Sequence, residues 1–291
     1  MQIAYHLGAH CTDEDRLIRA LLKNRGTLGA AGIVLPSPRS YRQLLPKVAK
    51  SLRGAPAGAE TQQVILDAVM EADTAERLVF SHDCLLCYPV NTISRQGFYA
   101  PAPQRIAAYS NLFPKAQTEF FLALRNPATL VPALIERVND GTYATVMGDQ
   151  SPHSLRWAPV IRSILAAVPG ISLTLWCNED TPLLWPEILR AVAGLGPEAA
   201  LDGDFDLLAA IMTDEGLVKL KAYLETHPPA SADQRRRATT AFLEKYARPE
   251  EIEVEVDLPG WSADLVAALT AAYEEDCAEI AEMDEVNFLT P

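Results

Sequence analysis

A polar stretch near the N-terminus combines features that bind phosphate with features that repel it. His6-Leu-Gly-Ala-His10 is followed by Cys11 and Thr12, then by three consecutive acids at 13–15 and by Arg16. A strand, a glycine-containing turn and a helix N-terminus together present backbone N–H groups and a partial positive charge to an anion. Carboxylates in that turn compete with a phosphate for the same groups, so the acids need an explanation.

Two interpretations of the acids at 13–15 are open. In the structural one, Thr12 and Asp15 approximate a capping box, and the acids stabilise the first turn of the helix by filling the place of a phosphate. In the functional one, the acids bind a metal or a cationic ligand, or Arg16 and Arg19 restore the missing positive charge. Of these two arginines, Arg16 lies nearer to the acids in sequence.

His82 and Asp83 directly follow the apolar run 77–81. Parallel sheets present their ligand crevice at the carboxyl ends of strands, so the two residues are candidate catalytic acid/base groups. The alternative is that Asp83 caps the segment that follows the strand.

Arg125 follows another predicted strand and precedes Asn126 and Pro127. An arginine at this place can bind an anion with its forked set of donors. The alternative is an ion pair with Asp13 or Asp15, which would close the anion site from both sides.

Five cysteines allow a second kind of chemistry. Cys84 and Cys87 form a C-x-x-C, and a parallel sheet would bring His6, His10 and Cys11 near it, which together suit zinc. A redox pair and buried structural thiols are the alternatives, and the pattern favours the structural thiols, so no metal site is assigned. Because the cysteines are odd in number and widely spread, we expect them to be reduced.

Two further groups of residues admit a binding role. The turn between Trp176 and Trp185 contains Glu179 and Asp180, which suit acid/base or metal chemistry, although buried indoles and helix capping are the commoner explanation. Arg235-Arg-Arg237 is expected on a solvated helix face, from which it could also reach an anionic ligand.

The elements that must position these residues alternate between strands and helices. Apolar strands are predicted over 2–8, 32–36, 77–81, 119–124 and 171–177. Helices are predicted over 13–24, 41–52, 59–75, 101–113, 128–139, 154–168, 185–193 and 263–281. This alternation predicts an α/β protein with a central, mostly parallel sheet of about five strands flanked by helices.

We expect residues 1–291 to form a single α/β domain. Residues 195–250 contain helices separated by polar turns, which predicts a helical insertion or subdomain within that domain. The final helix over 263–281 is expected to be followed by a short tail to Pro291.

Composition narrows the classes of partner. The 291 residues are 49% hydrophobic and carry a formal net charge of −13, which argues against nucleic-acid binding because the phosphate backbone would meet like charge. No apolar run reaches the roughly 18 residues needed to span a bilayer. We therefore expect a cytoplasmic protein with no membrane partner, for which a small-molecule ligand is possible.

The opening of the chain resembles that of bacterial sulfotransferase-like proteins, whose pattern runs approximately H-[IL]-G-x-H-K-T-G-T-T-x-L…N-R…L…G-[IV]-x-x-P. The matching residues are His6, Gly8, His10, Thr12, Leu17, Asn24, Arg25, Gly32 and Pro36. The chain departs from the pattern at Cys11, which stands in the lysine place, and at residues 13–15, which stand in the Gly-Thr-Thr places.

Three other segments extend the resemblance over residues 2–140 and the C-terminus. Arg125-Asn-Pro127 is similar to the family's R-[DN]-P signature, although Ala133 stands where a serine is usual. Ser81-His-Asp83 resembles the family's Ser-x-Glu-type turn, and Tyr273…Asp276…Ile280 resembles its closing helix.

The resemblance implies a P-loop sulfotransferase-like fold in which the first loop binds the phosphosulfate of 3′-phosphoadenosine 5′-phosphosulfate (PAPS). It places His10, Cys11, Thr12 and Arg125 at the cofactor, where Arg16 would restore the missing charge. It also puts an acceptor-side base near Asp83, which supports His82 and Asp83 as the candidate catalytic residues. Because the lysine and the Gly-Thr-Thr places are substituted, the first hypothesis is a diverged member that does not use PAPS in the usual way.

Two alternatives belong to other functional classes. One is an active sulfotransferase that moves a sulfuryl group from PAPS to a hydroxyl acceptor. The other is a non-catalytic interaction protein that meets a partner through the acidic helix over 263–281.

Overall fold

Strands and helices alternate through most of the chain. The structure is a computed structural model that describes residues 1–70, 74–252 and 258–291. The strands are β1 Gln2–His6, β2 Ile33–Val34, β3 Arg77–Ser81, β4 Ile93–Ser94, β5 Gly97–Phe98, β6 Gln117–Leu124, β7 Ser172–Cys177 and β8 Val286–Leu289. In the described ranges, no helix is both long enough and apolar enough to cross a membrane.

Helices cover both faces of the sheet. They are α1 Arg16–Lys23, α2 Arg25–Ala30, α3 Pro38–Tyr41, α4 Leu44–Leu52, α5 Ala59–Val69, α6 Ala102–Ser110, α7 Pro127–Arg137, α8 Tyr143–Met147, α9 Trp157–Ala167, α10 Thr181–Ala193, α11 Asp206–Ile211, α12 Asp214–Thr226, α13 Ala232–Tyr246, α14 Pro249–Ile252 and α15 Ala263–Ala281. The helix predicted over 59–75 is α5, and residues 71–73 lie outside the described part of the chain.

The central sheet has six parallel strands in the order β2-β3-β1-β6-β7-β8. The α/β class and the parallel sheet are confirmed, but the number of strands is six rather than about five. The sixth is β8, which pairs with β7 and occupies the stretch predicted as a short tail. Strands β4 and β5 form a separate antiparallel pair.

Side chains of β1 alternate between the two faces of the sheet. Tyr5 lies between Phe80 and Phe120, its partners in register on β3 and β6. The centroid of its ring is 5.3 Å from the ring centroid of each. That face packs against α4, α6, α7, α9 and α15. Ala4 points to the opposite face, which packs against α1 and α10. Both faces are buried, as a parallel sheet requires.

Helices α11 to α13 share a small apolar cluster of their own. Leu208, Met212 and Leu220 are buried there, and side chains of α13 pack against them. Helix α13 is joined to the main body by Arg235 and Arg236, which lie near Glu187 of α10 at 3.8 and 3.1 Å. These two arginines are largely buried, so the expectation of a solvated face is wrong for them, while Arg237 is exposed.

Candidate functional site

A polar cleft lies at the carboxyl ends of β1 and β3. Its volume is about 310 Å³. The chain leaves β1 toward the α1 face and leaves β3 toward the opposite face, so a crevice opens between the two loops, as expected at a switch point of an α/β sheet. The lining residues are His6, Gly8, Asp13, Glu14, Asp15, Arg19, His82, Asp83 and Arg137.

Gly8 lets the two loops approach each other. Its φ is +83°, in the left-handed region, and a Cβ atom at this position would lie 3.1 Å from both Cα and Cβ of Asp83. A larger residue would push the loop after β3 away. The glycine therefore brings His82 and Asp83 next to the acids of the first loop.

The loop after β1 reaches the helix through unusual backbone conformations. Cys11, Glu14 and Asp15 have φ values of 58°, 52° and 63°, and α1 begins only at Arg16. Non-glycine residues adopt this region at a cost, which is lower for Asp than for most residues. The left-handed pair at Glu14 and Asp15 moves the helix start three residues beyond the predicted Asp13.

The N-terminus of α1 is capped by Asp13. Its Oδ1 atom accepts a hydrogen bond of 2.8 Å from the backbone N–H of Leu17. The predicted capping box of Thr12 and Asp15 is wrong, because the Thr12 hydroxyl donates to the carbonyl of Ala9 at 2.7 Å and the Asp15 side chain makes no capping bond. A side-chain oxygen does occupy the helix N-terminus, as the structural interpretation expected, but a different acid supplies it.

Burial raises the pKa of the Asp13 carboxyl. The nearby imidazole of His6 and the N–H of Leu17 act in the opposite direction, while the charges of Asp15 and Asp83 raise the pKa further. The ionised carboxylate is thus held in a site that is short of positive charge. A cation placed in the cleft would favour its ionised form.

His10 lies in the core and not in the cleft. Its Nδ1 is 2.9 Å from the Tyr99 hydroxyl and its Nε2 is 3.1 Å from the carbonyl oxygen of Cys87. Burial lowers the pKa of His10 to about 4, so the ring is neutral at pH 7. His10 therefore acts here as a hydrogen-bonding core residue that fixes the loop containing Cys87.

Cys11 and Arg125 join the loops that follow β1 and β6. The Arg125 guanidinium donates to the carbonyl oxygen of Cys11, and its Nε donates to the Thr129 hydroxyl at 3.1 Å. The ion pair of Arg125 with Asp13 or Asp15, which was the alternative to anion binding, is not formed, because the guanidinium is bonded to Cys11 and Thr129. Burial raises the pKa of the Cys11 thiol to about 11, so the residue in the lysine place is uncharged.

Asp83 forms an ion pair with Arg137 from the end of α7, and both residues line the cleft. His82 lies beside them, with its Nδ1 3.4 Å from Asp83 Oδ1. The Nδ1 atom also accepts a hydrogen bond of 3.0 Å from the N–H of Cys84. The two predicted catalytic residues thus both line the cleft, together with Arg137, which belongs to no motif in the sequence.

The two arginines considered as replacement charges differ in position. Arg19 lines the cleft and donates to the carbonyl oxygen of Glu14 at 2.8 Å. Arg16 is about half exposed and lies 3.6 Å from the Glu14 carboxylate. Arg19 rather than Arg16 is therefore the arginine of α1 that faces the cleft, because it lies one turn further along the helix.

The C-x-x-C segment shows no zinc-like set of four donors among the described residues. Over those ranges, the one group of three close His, Cys, Asp or Glu donors consists of His82, Asp83 and Cys84, within 4.8 Å of one another. Asp83 in this group is already paired with Arg137. Burial raises the pKa values of Cys84 and Cys87 to about 12, which keeps both thiols protonated.

The turn after β7 has structural partners. Trp176 and Trp185 are buried, and their indole N–H groups donate to Thr181 and Gly203. Glu179 accepts from the backbone N–H of Asn126 at 3.0 Å. In this turn the indoles pack in the core, as the commoner explanation expected.

Among known proteins, no family model and no curated sequence matches this chain.

Proposed function

We propose that this protein is a diverged sulfotransferase-like protein that does not use PAPS in the usual way and binds a small amine-bearing molecule in the cleft between β1 and β3. The observation that carries the proposal is the Asp13 carboxylate bonded to the N-terminus of α1. The opening motif and the loop position at the carboxyl end of β1 support the family assignment.

The occupied helix N-terminus disfavours an anionic cofactor. A phosphate at this place would need the N–H of Leu17, which Asp13 uses, and would meet the carboxylates of residues 13–15. Two like charges about 4 Å apart repel by roughly 4 kcal/mol at an effective dielectric constant of about 20, equivalent to about a thousandfold in affinity. The arginine expected on the 3′-phosphate, Arg125, is engaged with Cys11 and Thr129.

The charged groups that line the cleft favour the binding of a cation. Four carboxylates and two guanidinium groups line the cleft, so its lining has a formal charge of −2 when the histidines are neutral. Arg137 is paired with Asp83, and Arg19 donates to the carbonyl oxygen of Glu14. Neither arginine is paired with Asp15, so the Asp15 carboxylate can bind a ligand. A cation would also relieve the cost of the ionised Asp13.

The spread of the acids favours an organic cation over a metal ion. In the described chain, Asp13, Glu14 and Asp15 do not form a group in which all three carboxylates lie within 4.8 Å of one another. Hard metal ions need several oxygen ligands around one point. Ammonium or guanidinium groups on a flexible molecule can instead meet carboxylates that are distributed around a cleft of about 310 Å³.

Thermal shift measurements test the proposal with spermidine, putrescine and agmatine as probes. We expect at least one of them to raise the melting temperature. Asp15→Asn should lower the affinity of the protein for that amine by about five- to tenfold. Glu60→Gln, at an exposed acid in the first turn of α5, is the matched control and should leave the shift unchanged.

Thermal shift with adenosine 3′,5′-bisphosphate tests the alternative function, sulfuryl transfer. A rise in melting temperature with this nucleotide, lost in Arg125→Ala, would support sulfuryl transfer from PAPS with His82 or Asp83 as the base. Failure of all three amines, or an amine shift that Asp15→Asn leaves intact, would overturn the assignment of the cleft.

A further inference from the structure

A second group of reactive side chains lies at the carboxyl end of β7, away from the cleft. Cys177 ends β7 and Cys277 lies in the last part of α15, 100 residues later in the sequence. Their sulfur atoms are 3.4 Å apart, within hydrogen-bonding distance. Cys277 is buried and Cys177 is partly exposed.

Packing on both sides holds the two sulfurs in this position. The Tyr273 hydroxyl lies one turn before Cys277, 2.9 Å from the carbonyl oxygen of Leu124 and 2.7 Å from Glu179. Asp276, adjacent to Cys277, accepts a 2.6 Å hydrogen bond from the N–H of Trp157. Helix α15 is thereby fixed against β6 and α9, so the contact between the cysteines does not depend on a mobile segment.

Cys177 is the partner that meets an oxidant first, because its side chain is partly exposed while Cys277 is buried, and the contact between the sulfurs favours its ionised form. The hydrogen bond between the two sulfurs lowers the pKa of Cys177, against the opposing effect of burial, and raises the pKa of Cys277. The C-x-x-C thiols differ, because burial raises both of their pKa values to about 12. The thiolate is the reactive form toward oxidants.

We propose that Cys177 and Cys277, rather than Cys84 and Cys87, form a redox-active pair that hydrogen peroxide converts into a reversible disulfide. The Cys177 thiolate attacks one peroxide oxygen, the O–O bond breaks, and the sulfenic acid forms with release of water after protonation. The Cys277 sulfur then attacks the Cys177 sulfur, and the second oxygen leaves as water. In total, two thiols lose two electrons and two protons, and one peroxide is reduced to two waters.

Bond formation requires only a small movement. A disulfide has a sulfur–sulfur distance of about 2.05 Å, so the atoms at 3.4 Å must approach by a little over 1 Å. The bond would fasten α15 to the end of β7 and close a loop of 100 residues. A loop of this length strongly restricts the unfolded chain, so oxidation should stabilise the fold.

Non-reducing peptide mapping of the peroxide-treated protein tests the proposal. We expect a cross-linked pair of peptides that contains Cys177 and Cys277, reversed by dithiothreitol. The melting temperature of the oxidised protein should rise by about 5–10 °C. Cys177→Ser and Cys277→Ser should abolish both changes, and Cys84→Ser should preserve them.

Differential alkylation of the wild-type protein gives a readout that does not depend on whether the serine variants fold. In the reduced protein, Cys177 should react with iodoacetamide before Cys84 and Cys87, and peroxide should protect it. A disulfide between Cys84 and Cys87, or oxidation of Cys177 to the sulfinic acid without a cross-link, would overturn the assignment.

Discussion

The Asp13 carboxylate accepts a hydrogen bond of 2.8 Å from the backbone N–H of Leu17, in the first turn of the helix that follows β1. This contact places a negative charge where the resemblance to sulfotransferase-like proteins would place the phosphosulfate of a nucleotide. The capping bond and the charge have separate consequences, which substitutions can distinguish.

Asp13→Ala should lower the free energy of unfolding by about 1 kcal/mol, because the N–H of Leu17 loses its acceptor. Asp13→Asn keeps an acceptor without the charge, so it should be as stable as the wild type or more stable at pH 7. Urea unfolding measures both. Equal destabilisation by the two substitutions would mean that the charge, and not the hydrogen bond, stabilises the turn.

The gain in unfolding free energy that we expect from Asp13→Asn should depend on pH. A carboxyl whose pKa is raised by folding costs stability when it is ionised, and this cost disappears as the pH falls through the raised value. The difference between Asp13→Asn and the wild type should therefore shrink in acid. A difference that grows on acidification would contradict the raised pKa.

Neutral His10 should make the protein sensitive to mild acid. Folding lowers the pKa of His10 from 6.5 to about 4, so the unfolded state binds the proton first and stability falls as the pH drops from about 6.5 to 4. The contribution is about 3 kcal/mol over this range. Burial lowers the pKa of His6 in the same direction.

His10→Gln should flatten the dependence of unfolding free energy on pH between 4 and 6.5, even where it lowers stability overall. His153→Gln, at an exposed position in a surface turn, is the control and should leave the slope unchanged. Chemical denaturation at several pH values gives the slopes. An unchanged slope in His10→Gln would show that other groups cause the acid sensitivity.

Backbone strain in the loop should be measurable at Glu14. Its φ of 52° lies in the left-handed region, where a non-glycine residue costs about 1 kcal/mol or more relative to glycine. Glu14→Gly should therefore raise the unfolding free energy by about 1 kcal/mol, whereas Glu14→Ala keeps the strain and should not. Loss of stability in the glycine variant would mean that the side chain contributes more than the strain costs.

Among the acidic residues of α15, Asp276 should be the one whose substitution lowers the stability of the protein most. It is buried, accepts from the N–H of Trp157 at the start of α9, and pairs with Arg156 at 2.8 Å. Asp276→Ala should cost about 2–3 kcal/mol, because charge-assisted hydrogen bonds are lost and the N–H of Trp157 is left without its acceptor. Glu274→Ala on the exposed face is the control, expected within about 0.5 kcal/mol of the wild type by thermal or urea unfolding.

Local pattern predicted much of the fold. β3 over 77–81 and α15 over 263–281 have the bounds that their apolar periodicity indicated. β8 was missed because its four residues follow a long helix and carry an unremarkable pattern, so only pairing with β7 identifies them as a strand. The start of α1 was misplaced because three positive φ values between residues 11 and 15 cannot be inferred from Cys, Glu and Asp.

The site was predictable in its location but not in its contacts. The rule for carboxyl ends of parallel strands placed His82 and Asp83 next to the first loop. Arg137, which pairs with Asp83, lies 54 residues away at the end of a helix and has no local signal. The same limit applies to Cys177 and Cys277, whose proximity arises from the docking of α15 on the sheet.

Isothermal titration of adenosine 3′,5′-bisphosphate tests most directly whether the protein's own acids fill the phosphate place. The wild type should give no binding heat. A variant carrying Cys11→Lys, Asp13→Gly, Glu14→Thr and Asp15→Thr should bind the nucleotide, because it regains the cation and frees the N–H of Leu17. Binding to the wild type as tight as to this variant would contradict the account.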